Sequence, residues 1–238
     1  MNEWLRRTLA PAAASTRVEH FDYRALRLVV GLIGFLLPLL LVVRAHVFGD
    51  SPLMRSISSY YHTPGQDLFV GSLCVIAMFL LAYRGKATLD GRVSTLGGLA
   101  ALVIAFFPTD PEPPLTDLQE LIGTVHLIGA GVFFVVLAGF CLWLFPNAPR
   151  FMDYEQRNVY EVRRDRIYRG CGWGIVISLL AIGVTKVLPV AQDLAWQPVF
   201  WFEWLALALF GVSWITAGKY WRISFLVAPN EAYKFKDL

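Results

Sequence analysis

Three histidines and one glutamate stand beside or inside apolar segments, where an ionisable side chain is energetically expensive. His46 and His62 flank apolar runs, and His126 lies about six residues, or roughly 9 Å of helical rise, inside another. Glu203 lies within an aromatic stretch, and Lys186 is a candidate partner for it. A buried carboxylate must be protonated, paired, hydrogen bonded or metal bound. We therefore expect a functional site around these side chains.

Neutral imidazoles together with carboxylates suit zinc or a similar divalent ion. We expect His62 and His126 to share such an ion, with His46, Asp67 or Glu203 completing the ligand set. A water bound to the ion could become a hydroxide near neutral pH and attack an amide or ester. The alternative interpretation is that these histidines bridge helices without binding a metal.

The densest polar segment, residues 56–67, lies immediately before an apolar run. Ser58 or Tyr61 from this segment would support the oxyanion that develops during such an attack. Asp67 could instead be a helix cap, and the tyrosines could belong to an aromatic belt at the membrane surface. The chain contains no GxSxG element, so a soluble-type serine hydrolase is not expected.

Composition identifies the environment of the chain. Hydrophobic residues make up 56% of the sequence and charged residues only 16%, compared with about 25% charged residues in soluble domains. We therefore predict an integral membrane protein of the all-α class, a polytopic bundle of six transmembrane helices. The apolar runs cover about residues 28–43, 68–83, 93–107, 121–145, 171–190 and 199–217. The third run is short and rich in glycine, and it could instead be re-entrant.

The basic residues predict the orientation of the chain. Of the 21 Lys and Arg residues, all but Arg44, Arg55 and Lys186 fall in segments on one side of the six predicted spans. By the positive-inside rule, both termini are cytoplasmic. We expect the protein to lie in a cytoplasmic (inner) or plasma membrane, to contact membrane lipids and to bind no nucleic acid.

The predicted domain organisation follows from these spans. Residues 1–27 form a cytoplasmic arm, residues 28–218 form the six-helix transmembrane domain, and residues 219–238 form a cytoplasmic tail. Residues 150–170 form an amphipathic inner loop within the domain. Small residues should lie at helix contacts, namely Gly31, Gly34, Gly71, Ala77, Gly97, Gly98, Ala130 and Gly211.

The element Ser58-x-x-x-His62 beside a transmembrane helix resembles the CREST superfamily, which includes alkaline ceramidases and adiponectin-type receptors. The resemblance implies a seven-span, zinc-dependent hydrolase of lipid amides or esters. It also implies that Ser58 is an oxyanion stabiliser near the metal, that His62 binds the metal, and that Asp67 stands in for the acidic residue. The late HxxxH pair of that superfamily is missing, because no histidine follows His126.

The whole chain also resembles small uncharacterised bacterial six-span proteins that carry a Tyr-Tyr-His-Thr…Asp loop and a Phe-Pro-Thr turn, here at 107–109. This second resemblance implies no activity. The leading hypothesis from the sequence is therefore a metal-dependent lipid hydrolase with an outward-facing site. The alternatives are a small-molecule or ion transporter or binding protein, in which Pro38 would break the first span and Glu203 would be the coupling group, and a non-catalytic scaffold subunit.

Overall fold

The computed structural model describes residues 23–83, 88–111, 115–146, 159–188 and 194–218, and every regular element in these ranges is helical. The all-α prediction is confirmed. The six apolar helices are α1 (Tyr23–Gly49), α2 (Gln66–Ala82), α3 (Thr88–Phe106), α4 (Asp117–Gly139), α5 (Val159–Val187) and α6 (Pro198–Gly218). A 3₁₀ helix, Ser58–His62, precedes α2, and a π-helical turn, Phe140–Leu144, extends α4.

Five of the six helices are long and apolar enough to cross a membrane. The exception is α2, whose 17 residues extend about 25 Å, compared with a hydrocarbon core of about 30 Å. The sequence had indicated the third apolar run as the weak span. Instead, α3 is a continuous helix of 19 residues, and the short segment is the second.

Large apolar side chains cover the outside of the helices. Met78, Ile177 and Leu180 each expose more than three fifths of their surface, whereas His126 is only 3% exposed. This distribution is the reverse of a soluble protein's and is typical of a bundle whose outer surface contacts lipid chains.

Each helix packs against the next helix in the chain, and α6 returns to pack against α1. The largest contacts join α1 to α6, α5 to α6, and α2 to α3. Because α4 also touches α6, α5 packs outside a ring formed by the other five helices. The 3₁₀ helix Ser58–His62 packs against α2 at one end of this ring, which we call the His62 end.

Glycines allow a close contact between α1 and α6. A side chain at Gly211 would lie 2.6 Å from the carbonyl oxygen of Gly31, and one at Gly31 would lie 2.9 Å from the carbonyl oxygen of Gly211. Gly97 and Gly98 likewise face Val136 of α4 and Leu81 of α2. The prediction that these glycines lie at helix contacts is confirmed.

Two expectations about small or helix-breaking residues are wrong. Gly71 is exposed, and a side chain there would meet no atom of the described chain within 4 Å, so Gly71 faces away from the other helices. Pro38 does not break α1. The helix is continuous over Tyr23–Gly49, and the Pro38 inside it is fully buried. The tight packing of α1 on α6 around this position supports a continuous helix despite the one missing backbone donor.

The opposite end of the bundle, which we call the Arg27 end, is tied together by one guanidinium. Arg27 of α1 donates to the carbonyl oxygen of Ala217 and to the hydroxyl of Tyr83, both over 2.9 Å. Its charge thereby lies at the C-terminus of α6, where the helix dipole favours a cation. An aromatic cluster lies beneath it, formed by Tyr83, Phe140, Phe145, Phe210 and Trp214.

The predicted cytoplasmic tail, residues 219–238, lies outside the described residues, as does most of the predicted arm, residues 1–22. Residues 150–158 of the predicted amphipathic loop do so as well. Its second part, 159–170, forms the first turns of α5 and continues into the apolar segment without a break.

We predict that Gly211→Ala destabilises the protein, because the new methyl group would collide with the backbone of α1 rather than with a flexible side chain. The expected loss is about 1–3 kcal/mol, measured by thermal unfolding of the purified protein in detergent. Gly71→Ala is the matched control and should be neutral or slightly stabilising. Equal unfolding temperatures for the two variants would contradict this packing.

Candidate functional site

The segment after α3 turns across the His62 end, and two histidines hold it. Nδ1 of His126 donates to the carbonyl oxygen of Phe107 over 2.6 Å, and Nε2 of His62 donates to that of Thr109 over 2.8 Å. A carbonyl oxygen can only accept, so Nδ1 of His126 and Nε2 of His62 must each carry a proton. We call residues 107–110 the outer turn.

The outer turn lies directly on α4. The carboxylate of Asp110 occupies the space that a side chain at Gly123 would need, so only glycine at 123 permits this approach. Gly123 is one helical turn before His126, and the two positions share a face of α4. Asp110, Lys186 and His62 all lie close enough to His126 to interact with it electrostatically.

Tyr60 anchors the segment that carries Ser58 and His62. Its ring is 1% exposed and lies 6.1 Å from the ring of Phe200 in α6, while its hydroxyl accepts a bond from the backbone N–H of Met54. A tyrosine hydroxyl is protonated at neutral pH. A neutral, buried tyrosine here is a structural anchor rather than an acid or base.

Glu203 of α6 reaches the same segment. Its Oε2 accepts a hydrogen bond from the backbone N–H of Ile57 over 2.6 Å, and Lys186 acts on it electrostatically. The sequence had suggested Lys186, His126 or a metal as the direct partner. A direct partner that the sequence did not indicate is this backbone amide, which fastens the segment before the 3₁₀ helix onto α6.

A cavity lies between the helices directly beneath these polar groups. Its empty space is about 470 Å³, including its mouth. Ser58, His126 and Glu203 line it, and the remaining lining residues are apolar side chains from α1, α2, α3, α4 and α6 and from Ile57. The cavity therefore joins an apolar chamber to a small polar patch.

The structure brings together only some of the predicted site residues. His46 is exposed in the last turn of α1, and Asp67 is exposed in the first turn of α2; neither lines the cavity. Asp67 is also not the N-cap, a position that Gly65 occupies. Tyr61 packs edge-on against the ring of His62, with the centroids 5.4 Å apart, and it also does not line the cavity.

The described residues contain no group of three or more His, Cys, Asp or Glu side chains that could hold a metal ion. His62 and His126 both bind the outer turn, and each does so by donating through one ring nitrogen to a carbonyl oxygen. The nitrogens left for a ligand are Nδ1 of His62 and Nε2 of His126. In many metal-binding histidines, the ring nitrogen that does not bind the metal donates a hydrogen bond to a carbonyl oxygen, and this bond orients the ring.

Sequence reasoning missed the backbone groups of this site. The carbonyl groups of Phe107 and Thr109 and the N–H of Ile57 bind the three ionisable side chains, and no side-chain pattern reveals a backbone partner. Gly123 was also missed. The sequence signal for Gly123 was its position three residues before His126, because a glycine there leaves room on the helix face that carries the histidine.

We predict that His126→Phe destabilises the protein by about 1 kcal/mol or more, because it leaves the carbonyl group of Phe107 without its donor in an apolar setting. His126→Asn should recover part of this loss, since its amide can place a donor near the Nδ1 position. Thermal unfolding in detergent measures both effects.

His62→Phe is the control for this pair of variants. The bond from His62 is solvent exposed, so its removal should change stability by less than about 0.5 kcal/mol. A His126→Phe protein as stable as the unmodified chain would show that the buried bond does not hold the outer turn.

Comparison with known proteins adds a family but no activity. The chain matches no curated protein and no solved structure. A family model described as a protein of unknown function, DUF998, matches residues 29–185, which is about two thirds of the chain. The matched region includes His62, the outer turn and His126, while Glu203 lies beyond it. The chain therefore belongs to the DUF998 family, whose function is unknown.

Proposed function

We propose that this protein binds an amphipathic small molecule in the cavity between its helices. The observation that carries the proposal is the cavity itself, an apolar chamber whose polar patch holds His126 and Glu203. Small-molecule sites are concave and mostly apolar, as this cavity is. An apolar wall with a few convergent polar groups is the usual composition of such sites.

The polar groups of the cavity support a bound molecule rather than simple packing. Nε2 of His126 is buried and has no hydrogen-bond partner among the residues that the structure describes. An unpaired polar atom in an apolar interior costs about 1–3 kcal/mol. A ligand that hydrogen bonds to this nitrogen would remove that penalty, which gives a molecule with a polar end an advantage over a plain hydrocarbon chain.

The membrane arrangement is part of the same proposal. Six spans, with both termini cytoplasmic and the His62 end outward, agree with the distribution of basic residues along the chain. The 3₁₀ helix before α2 would complete the crossing that the 17 residues of α2 leave short. The cavity would then open toward the outer leaflet of an inner or plasma membrane.

This orientation predicts which cysteines a membrane-impermeant thiol reagent reaches. In a background without the three native cysteines, Gln66→Cys should be labelled from outside intact cells, and Arg92→Cys only after the cells are opened. Both side chains are exposed, at opposite ends of the bundle. Labelling of position 92 from outside would reverse the proposed orientation.

We predict that Ala130→Phe abolishes binding by filling the cavity from α4. Saturating decanol should stabilise the unmodified protein, by about 2.7 kcal/mol when the free probe is 100 times its Kd, and should not stabilise the variant. Thermal unfolding in lipid nanodiscs measures the shift.

Leu127→Phe is the matched control for the cavity variant. Leu127 lies on the same helix as Ala130 but is half exposed on the outside of the bundle. Its variant should respond to decanol as the unmodified chain does. If Ala130→Phe responds equally, decanol acts through the surrounding lipid, and a scaffold role for the protein becomes the better account.

A zinc-dependent hydrolase of lipid amides or esters is the second candidate. It is favoured because His62 and His126 bind the same short turn while Ser58 lines the cavity beside His126. The resemblance of Ser58-x-x-x-His62 to the CREST element points the same way. We predict that elemental analysis would find about one zinc per chain if this candidate is right, and that His126→Asn would lower the content. A metal-free protein would contradict it.

A further inference from the structure

The polar atoms of the cavity differ in whether they donate or accept hydrogen bonds. Nδ1 of His126 must carry a proton, because its partner is the carbonyl oxygen of Phe107 at 2.6 Å. A neutral imidazole has only one N–H, so Nε2 presents a lone pair. A second proton would place a charge at a residue that is 3% exposed, on a nitrogen with no acceptor among the described residues.

Glu203 is the second acceptor. Its Oε2 accepts from the N–H of Ile57, and a carboxylate has about four lone-pair positions on its two oxygens. One hydrogen bond therefore leaves acceptor capacity at the cavity wall. The Ser58 hydroxyl, which shares a hydrogen bond of 3.3 Å with the Ser56 hydroxyl, can take either role.

The polar groups that line the cavity favour a head group that donates hydrogen bonds. Glu203 lines the chamber, and Lys186 acts electrostatically on both Glu203 and His126. An anionic head group would face two acceptors, Nε2 of His126 and a carboxyl oxygen of Glu203, which is a mismatch.

We propose that the ligand of the cavity is an amphipathic amine, with its ammonium group between Glu203 and His126 and its alkyl chain among the apolar side chains. This inference rests on the proposed binding function and specifies the chemistry of the ligand. An ammonium group has three N–H donors and no acceptor, so it complements a carboxylate and an imidazole lone pair together. Its bond to Glu203 would be charge assisted and would neutralise a carboxylate inside the bundle.

Three probes with one alkyl chain and different head groups test the inference. Decylamine, decanol and decanoate are titrated at neutral pH into the full-length protein in nanodiscs of zwitterionic lipid, with binding followed by isothermal calorimetry. Decylamine should bind at least about tenfold more tightly than decanol, because of its charge-assisted bond. Decanoate should bind most weakly.

Glu203→Gln should remove the tenfold preference for decylamine over decanol. Glu120→Gln is the matched control, since it deletes the same charge from an exposed position on α4 outside the cavity. It should keep the preference. If both variants lose it equally, the amine is attracted by surface charge and the inference is overturned.

The ranking of probes in the unmodified protein tests the inference without any variant. Equal affinities for the three probes, or tightest binding of decanoate, would overturn the amine assignment while leaving the binding function intact. Absence of binding by all three probes would refute the proposed function itself, and the amine assignment with it.

Discussion

The hydrogen bond from His126 to the carbonyl oxygen of Phe107 is the interaction on which the His62 end depends. It joins the middle of α4 to the segment that follows α3, and it decides which nitrogen of the ring keeps its lone pair. The outer turn then brings Thr109 to His62 and Asp110 onto Gly123. One buried bond therefore sets the position of the turn and the chemistry of the cavity beneath it.

The apolar surroundings explain why this bond matters. Inside a bilayer no water is present to satisfy a polar group, so each buried donor or acceptor needs a partner from the chain or a ligand. At the Arg27 end, Arg27 donates to Ala217 and Tyr83, although its Nε and Nε1 of Trp214 have no partner among the described residues. At the His62 end, Nε2 of His126 likewise has no partner in the described residues, and His126 lines a cavity. The cavity makes the His62 end the better candidate for function.

Much of the fold could be predicted from the sequence, because the apolar runs are strong signals in a chain with 16% charged residues. All six runs are helices, and Gly31 and Gly211 do lie at a helix contact. Gly71 does not lie at a helix contact. A glycine in the sequence does not by itself indicate which face of α2 meets the other helices. The prediction that the third run is the weakest span was also wrong. The glycines of α3 allow close packing and do not interrupt the helix.

The site was harder to predict than the fold. The structure places His62, His126 and Glu203 near one end of the bundle, and their role in a site stays a prediction based on the rarity of ionisable residues in apolar segments. Their partners were not foreseen, since backbone carbonyl and amide groups carry no residue-type signal. Tyr61 was chosen over Tyr60, although adjacent residues of the 3₁₀ helix point in different directions and it is Tyr60 that is buried. Such choices need the three-dimensional path of residues 51–65.

Nitrogen-15 NMR of the histidine rings reports the protonation state of His126 directly. In protein labelled with nitrogen-15 histidine, the resonances of His126 are assigned by their loss in His126→Asn. We expect a neutral ring with the proton on Nδ1 and an unprotonated Nε2, and the two nitrogen shifts distinguish this state from the other tautomer and from the imidazolium ion. A proton on Nε2, either in the opposite tautomer or in an imidazolium ion, would contradict the hydrogen bond to Phe107 as the source of an acceptor in the cavity.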